Sequence, residues 1–128
     1  MNANELRVGN WVEANSPMMQ VKEITEHTVG LYMPGSEADP FLYDIEDIRH
    51  IKLSPEILEK CGFEDMHEKT YGYVEFADKL HAIYSTADGY SFHPFCTNDK
   101  DCQIKIKFLH QLQNLIFALT GEELTYKQ

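Results

Sequence analysis

From Phe108 to Gly121 the chain contains no Asp, Glu, Lys or Arg, although one quarter of its 128 residues are charged. The period of this stretch is helical. Leu109, Leu112, Ile116 and Leu119, flanked by Phe108 and Leu115, fall on one arc, and Gly121 supplies the stop. The second arc consists of His110, Gln111, Gln113, Asn114 and Phe117. A surface helix carries charges opposite its apolar stripe, so a helix neutral on both sides is expected to be covered on both. Either the N-terminal strands or a second copy of the chain provides the second cover, and the latter predicts a homo-oligomer through this helix.

Ahead of the helix the pattern is that of short strands. Leu6 to Val12 places a Gly9-Asn10 turn between apolar runs, and Asn15-Ser16-Pro17 turns the chain into Met18 to Ile24. Thr28 to Met33 follows, then the loop Pro34 to Pro40, then Phe41 to Ile45 and Ile48 to Leu53. Short strands joined by tight turns predict a small curled sheet or SH3-like barrel over residues 1–53. At Ser54-Pro55 the period changes: Ser54 suits a helix cap, Pro55 the first helical position, and Gly62 the stop of a helix Pro55 to Cys61. Tyr71 to Ala77, Leu80 to Ser85, Tyr90 to Phe95 and Gln103 to Phe108 then predict an antiparallel meander, with a hairpin at Asp88-Gly89. The expected fold is α+β: the barrel-like part, a short helix, a meander of about four strands, and the C-terminal helix packed on that meander. Residues 1–128 are expected to form one compact unit with subregions 1–53 and 54–128.

Composition narrows the function classes. With 21 acidic and 11 basic residues the formal charge is -10, which repels a polyphosphate backbone and favours a protein partner with a basic patch. The opening Met1-Asn2-Ala3-Asn4-Glu5 lacks the basic stretch and apolar run of a secretory signal, and no stretch has the roughly 18 apolar residues of a membrane span. Cys61, Cys96 and Cys102 are odd in number and irregular in spacing, which suits thiols of a reduced compartment. The expected location is the cytoplasm, away from membrane.

The motifs that carry chemistry are absent. His93, Cys96 and Cys102 give one H-x2-C and a distant cysteine, without the paired close spacings of a zinc site. Asp99-Lys100-Asp101 opens like a calcium loop, but position six is not glycine and position twelve is not glutamate. Acidic groups such as Asp44/Glu46/Asp47, Glu64/Asp65/Glu68 and Glu122/Glu123 read as solvated faces. There is no Gly-x-Ser-x-Gly elbow, no dinucleotide fingerprint and no phosphate-binding loop, so the sequence predicts no catalytic, cofactor or metal residue. The candidate interaction surface is Tyr71, Tyr73, Tyr84 and Tyr90 on the meander, together with His110, Gln113, Asn114 and Phe117 on the last helix. These features predict a non-enzymatic accessory or adaptor protein that works through protein contact. The alternative is a small ligand-binding protein or hydrolase using His93 and nearby carboxylates in a cleft between the subregions.

Three stretches carry a resemblance: Asn4-Glu5-Leu6-Arg7-Val8-Gly9-Asn10-Trp11-Val12, then Leu53-Ser54-Pro55-Glu56-Ile57-Leu58 with Cys61-Gly62-Phe63, and finally His110 to Leu124. In these the chain resembles a family of small proteins, without an assigned activity, encoded in gut-dwelling bacteria and their phages and mobile elements. The resemblance implies an accessory role in that setting and carries no site residue across. The opening also resembles SH3-like and KOW-type barrels, which bind proteins or nucleic acid, and the acidity here favours the protein half of that pair.

Overall fold

The computed structural model of the protein describes residues 3–14, 18–33, 41–70, 73–77, 81–86, 89–94 and 104–127. In chain order the elements are a one-turn 3-10 helix (Ala3–Glu5), β1 (Trp11–Glu13), β2 (Met18–Ile24), β3 (Thr28–Tyr32), β4 (Phe41–Asp44), a second 3-10 turn (Ile45–Asp47), α1 (Pro55–Lys60), β5 (Glu64–Thr70), β6 (Tyr73–Ala77), β7 (His81–Thr86), β8 (Gly89–Pro94), β9 (Ile104–Ile106) and α2 (Leu109–Thr120). Two antiparallel sheets and two helices make the fold α+β. The chain divides into two compact units, residues 1–52 with 108–122 and residues 53–107 with 123–128.

In the first unit the sheet order is β1-β2-β3-β4. Alternation sends Met19 and Val21 of β2 and Val29 and Leu31 of β3 into one core with Val12, while Gln20 and Tyr32 pair on the opposite face. Leu6, Ala14 and Ile48 complete that core. Helix α2 groups with this unit and contacts β1, whereas its sequence had assigned it to the meander. Leu109, Leu112 and Ile116 are buried, whereas Leu119, expected on the same arc, is 50% exposed in the last turn, and Gly121 ends the helix at φ +75, a conformation that favours glycine.

Ile48 to Leu53, expected as a fifth strand, forms isolated bridges instead. Arg49 pairs with Glu13 of β1 (N–H to carbonyl distances of 2.8 and 3.1 Å), and Lys52 pairs with Phe108. One segment with two partners cannot keep the single register of a ladder, and the buried positions Ile48, Ile51 and Leu53 break strict alternation around His50. The second bridge has a useful consequence. The Ile51 carbonyl accepts the Leu109 N–H at 2.8 Å, so the first turn of α2 is held by this segment.

In the second unit the sheet order is β5-β6-β7-β8-β9. Phe76, Ile83 and Phe92 pair across it and are buried. Thr86 pairs with Gly89, as the hairpin signal requires; a Cβ on Gly89, at φ +147, would meet the Ile106 carbonyl oxygen at 3.2 Å. Strand β5 had no counterpart in the sequence reading. Its residues, Glu64-Asp65-Met66-His67-Glu68-Lys69-Thr70, carry too much charge for a strand signal, and pairing with β6 supplies the bonds that local propensity does not.

Helix α1 begins as expected: Ser54 is extended and its Oγ accepts the Ile57 N–H at 3.3 Å, with Pro55 in the first turn. Ser54→Ala should therefore cost about 1 kcal/mol. Urea unfolding of the two proteins measures it, and an unchanged midpoint would show that the cap is idle.

Candidate functional site

The neutral second face of α2 turns toward the chain's own N-terminal segment. Gln113 is 1% exposed; its Oε1 accepts the Trp11 N–H at 2.8 Å and its Nε2 donates to the Gly9 carbonyl at 3.2 Å. At the next residue, Asn114 Oδ1 accepts from Asn10 Nδ2 at 2.8 Å and from Arg7 Nε at 3.2 Å, while its Nδ2 donates to the Glu5 carbonyl at 3.0 Å. The Arg7 guanidinium lies over the Phe117 ring, 4.2 Å from its centroid. At the buried positions His110 and Gln113 a charge would have no place to be hydrated, and the Gln113 amide can both donate and accept, which accounts for the neutral residues there.

The same face begins with His110, which is 2% exposed, and here three chemically active side chains converge. The His50 and His110 rings stack at 4.8 Å between centroids, and Phe108 stacks on His50 at 4.4 Å. His50 Nε2 lies 3.9 Å from Glu5 Oε2. The Nδ1 atoms of His50 and His110 are buried and lack a hydrogen-bond partner. Glu5, His50 and His110 each present one metal-ligand atom within 4.8 Å of the others, the one such trio among the described residues. Burial, reinforced by His50 and opposed by Glu5, pushes His110 down to about 4; burial also lowers His50, again opposed by Glu5. Both rings are therefore held in the neutral form that ligates metals.

A different feature marks the far edge of the first sheet. Strand β4 pairs with β3 through Phe41↔Leu31, Leu42↔Gly30, Tyr43↔Val29 and Asp44↔Thr28, and β4 ends the strand order. Phe41 and Leu42 are 58% and 68% exposed. At the opposite edge, β1 is occupied by its bridge to Arg49.

Of the residues singled out from sequence, His110, Gln113, Asn114 and Phe117 do share one face, and that face is engaged within the chain. Tyr84 and Tyr90 are half-buried in β7 and β8; Tyr84 pairs with Ser91 and Tyr90 with Ser85, so the two point to opposite sides of the sheet. The Tyr90 ring meets Phe76 edge-on at 6.3 Å, and burial raises its hydroxyl pKa. Tyr73 and His93 are placed by backbone pairing, opposite Thr70 and Ala82. Tyr71, Cys96, Cys102 and Asp99-Lys100-Asp101 lie outside the described residues. Cys61 is buried and its thiol is pushed up to about 12 by burial, which leaves it un-ionised. A pocket of the second unit is lined by Glu59, Gly62, Phe63, Glu64 and Asp65, carboxylates without a histidine.

Sequence reading missed Glu5 and His50. One is the last residue of a 3-10 turn and the other lies between two bridges, and no spacing rule links them to His110. The local signal at His50 was its interruption of the apolar alternation. Among the described residues no helix is long and apolar enough to cross a membrane. Comparison with protein-family models, with curated proteins and with solved structures finds no match to this chain.

Proposed function

We propose that this protein is a non-enzymatic accessory or adaptor protein of the cytoplasm that receives an extended, basic segment of a partner protein along the β4 edge. The observation that carries this reading is the exposure of Phe41 and Leu42 on a terminal strand of the first sheet. An edge strand offers backbone donors and acceptors to an added strand, and proteins that avoid such pairing place lysine or proline there. Phe41 and Leu42 instead offer apolar contacts on opposite faces of the edge. Asp44, Glu46 and Asp47, all exposed, follow at its end, and the net charge of -10 adds to their attraction for a basic segment.

The test compares wild type with a Phe41→Lys/Leu42→Lys variant, using host lysate and a synthetic peptide that alternates Val and Lys. Both substituted side chains are exposed, so folding should survive. Wild type should retain a specific partner and the peptide, more weakly in high salt, and the variant should lose at least about tenfold in affinity, the scale of an anchor residue. Equal retention by the two proteins would remove β4 as the contact.

A further inference from the structure

We infer that Glu5, His50 and His110 bind one zinc-class divalent cation, each residue giving one ligand atom. This goes beyond the strand-edge reading and does not depend on it.

The donor set is two imidazole nitrogens and one carboxylate oxygen, which suits zinc and its neighbours, whereas calcium and magnesium prefer oxygen alone. The ligand atoms already lie within 4.8 Å of one another. In a tetrahedral zinc site, with bonds of about 2.0–2.2 Å, ligand atoms stand roughly 3.3–3.6 Å apart. Closing around the ion therefore takes a displacement on the order of 1 Å shared among the side chains. Glu5, exposed at the end of a single 3-10 turn, has that freedom.

The backbones that carry the trio are tied together independently of any ion. Arg49, beside His50, is paired with β1; the Ile51 carbonyl holds the first amide of α2; Asn114 holds the Glu5 carbonyl. Phe108 stacks on His50 and fixes the plane of that ring. Such second contacts orient metal ligands. Within this cage two buried ring nitrogens lack a hydrogen-bond partner. Unsatisfied buried nitrogens are costly, and a cation bound at such a nitrogen would give it a partner. Three protein ligands on a site reached past the half-exposed Glu5 side chain would leave a coordination position for water.

Zinc titration of the full chain against a chromophoric chelator tests the inference. Wild type should bind one equivalent, and Glu5→Gln and His50→Asn should each weaken binding by at least about tenfold. His27→Asn, a change at an exposed histidine beside Glu26, should leave it unaltered. Cobalt substituted into wild type should show the visible bands of four-coordinate geometry, and these should fade in Glu5→Gln. Affinity equal in wild type, Glu5→Gln and His50→Asn, or a loss with His27→Asn as large as theirs, would overturn the site.

Discussion

Gln113→Met should lower the stability of the fold by about 2–4 kcal/mol, far more than the similar volume of the two side chains would suggest. The substitution keeps an unbranched chain of good helix propensity, so neither a large cavity nor a helix penalty arises. What changes is the bonding. The Trp11 N–H and the Gly9 carbonyl lose the bonds of 2.8 and 3.2 Å that join them to Gln113. Leaving a buried backbone donor unsatisfied costs its desolvation, typically about 1–3 kcal/mol, beyond the bond itself. The Gly9 carbonyl keeps Gln20 Nε2 at 3.2 Å, so most of the loss falls on Trp11. Urea unfolding gives the value; a loss below about 0.5 kcal/mol, the scale of a neutral surface change, would mean that water reaches the Trp11 amide.

The second large effect is acid lability. His110 ionises near 4 in the fold because of burial, with His50 adding to the shift and Glu5 opposing it, against 6.5 for an unperturbed histidine. Between these values the unfolded chain binds the proton more readily than the folded one, so stability is full above about pH 6.5 and drains away as pH falls through 4. At about 1.36 kcal/mol per pH unit the loss amounts to roughly 2–3 kcal/mol. His50, lowered in the same direction, steepens the slope. The experiment follows unfolding from pH 7 to pH 4 in a chelator, so that only protons compete for the rings, and repeats it with His110→Leu. The variant should show a clearly shallower decline; an identical decline would place the acid sensitivity elsewhere.

Both effects arise from a helix whose peculiarity was visible in the sequence. The absence of charge from Phe108 to Gly121 predicted a helix covered on both sides, which holds around Leu109 to Gln113 and at Ile116 but not at Gln111 or from Phe117 to Gly121, which are exposed; the period did put His110, Gln113, Asn114 and Phe117 on one face. The cover itself was not legible, because Gln113 bonds to the backbone of Gly9 and Trp11, and backbone groups leave no mark on side-chain pattern. Local chemistry was equally readable at α1, where Ser54, Pro55 and Gly62 occupy the positions their types favour. Sheet partners were harder. The charged β5 exists through its pairing with β6, and Ile48 to Leu53, apolar enough for a strand, is divided between β1 and Phe108. That division is what sets His50 beside His110, so the histidine pair could emerge only once the topology was known.

The account rests on the α2 face being satisfied by its own chain. Hydrogen exchange at the Trp11 amide, measured at high and low protein concentration, tests this most directly. The amide should exchange only through global unfolding, with the same protection at both concentrations. Rapid exchange while the α2 amides stay protected, or protection that fades on dilution, would contradict it.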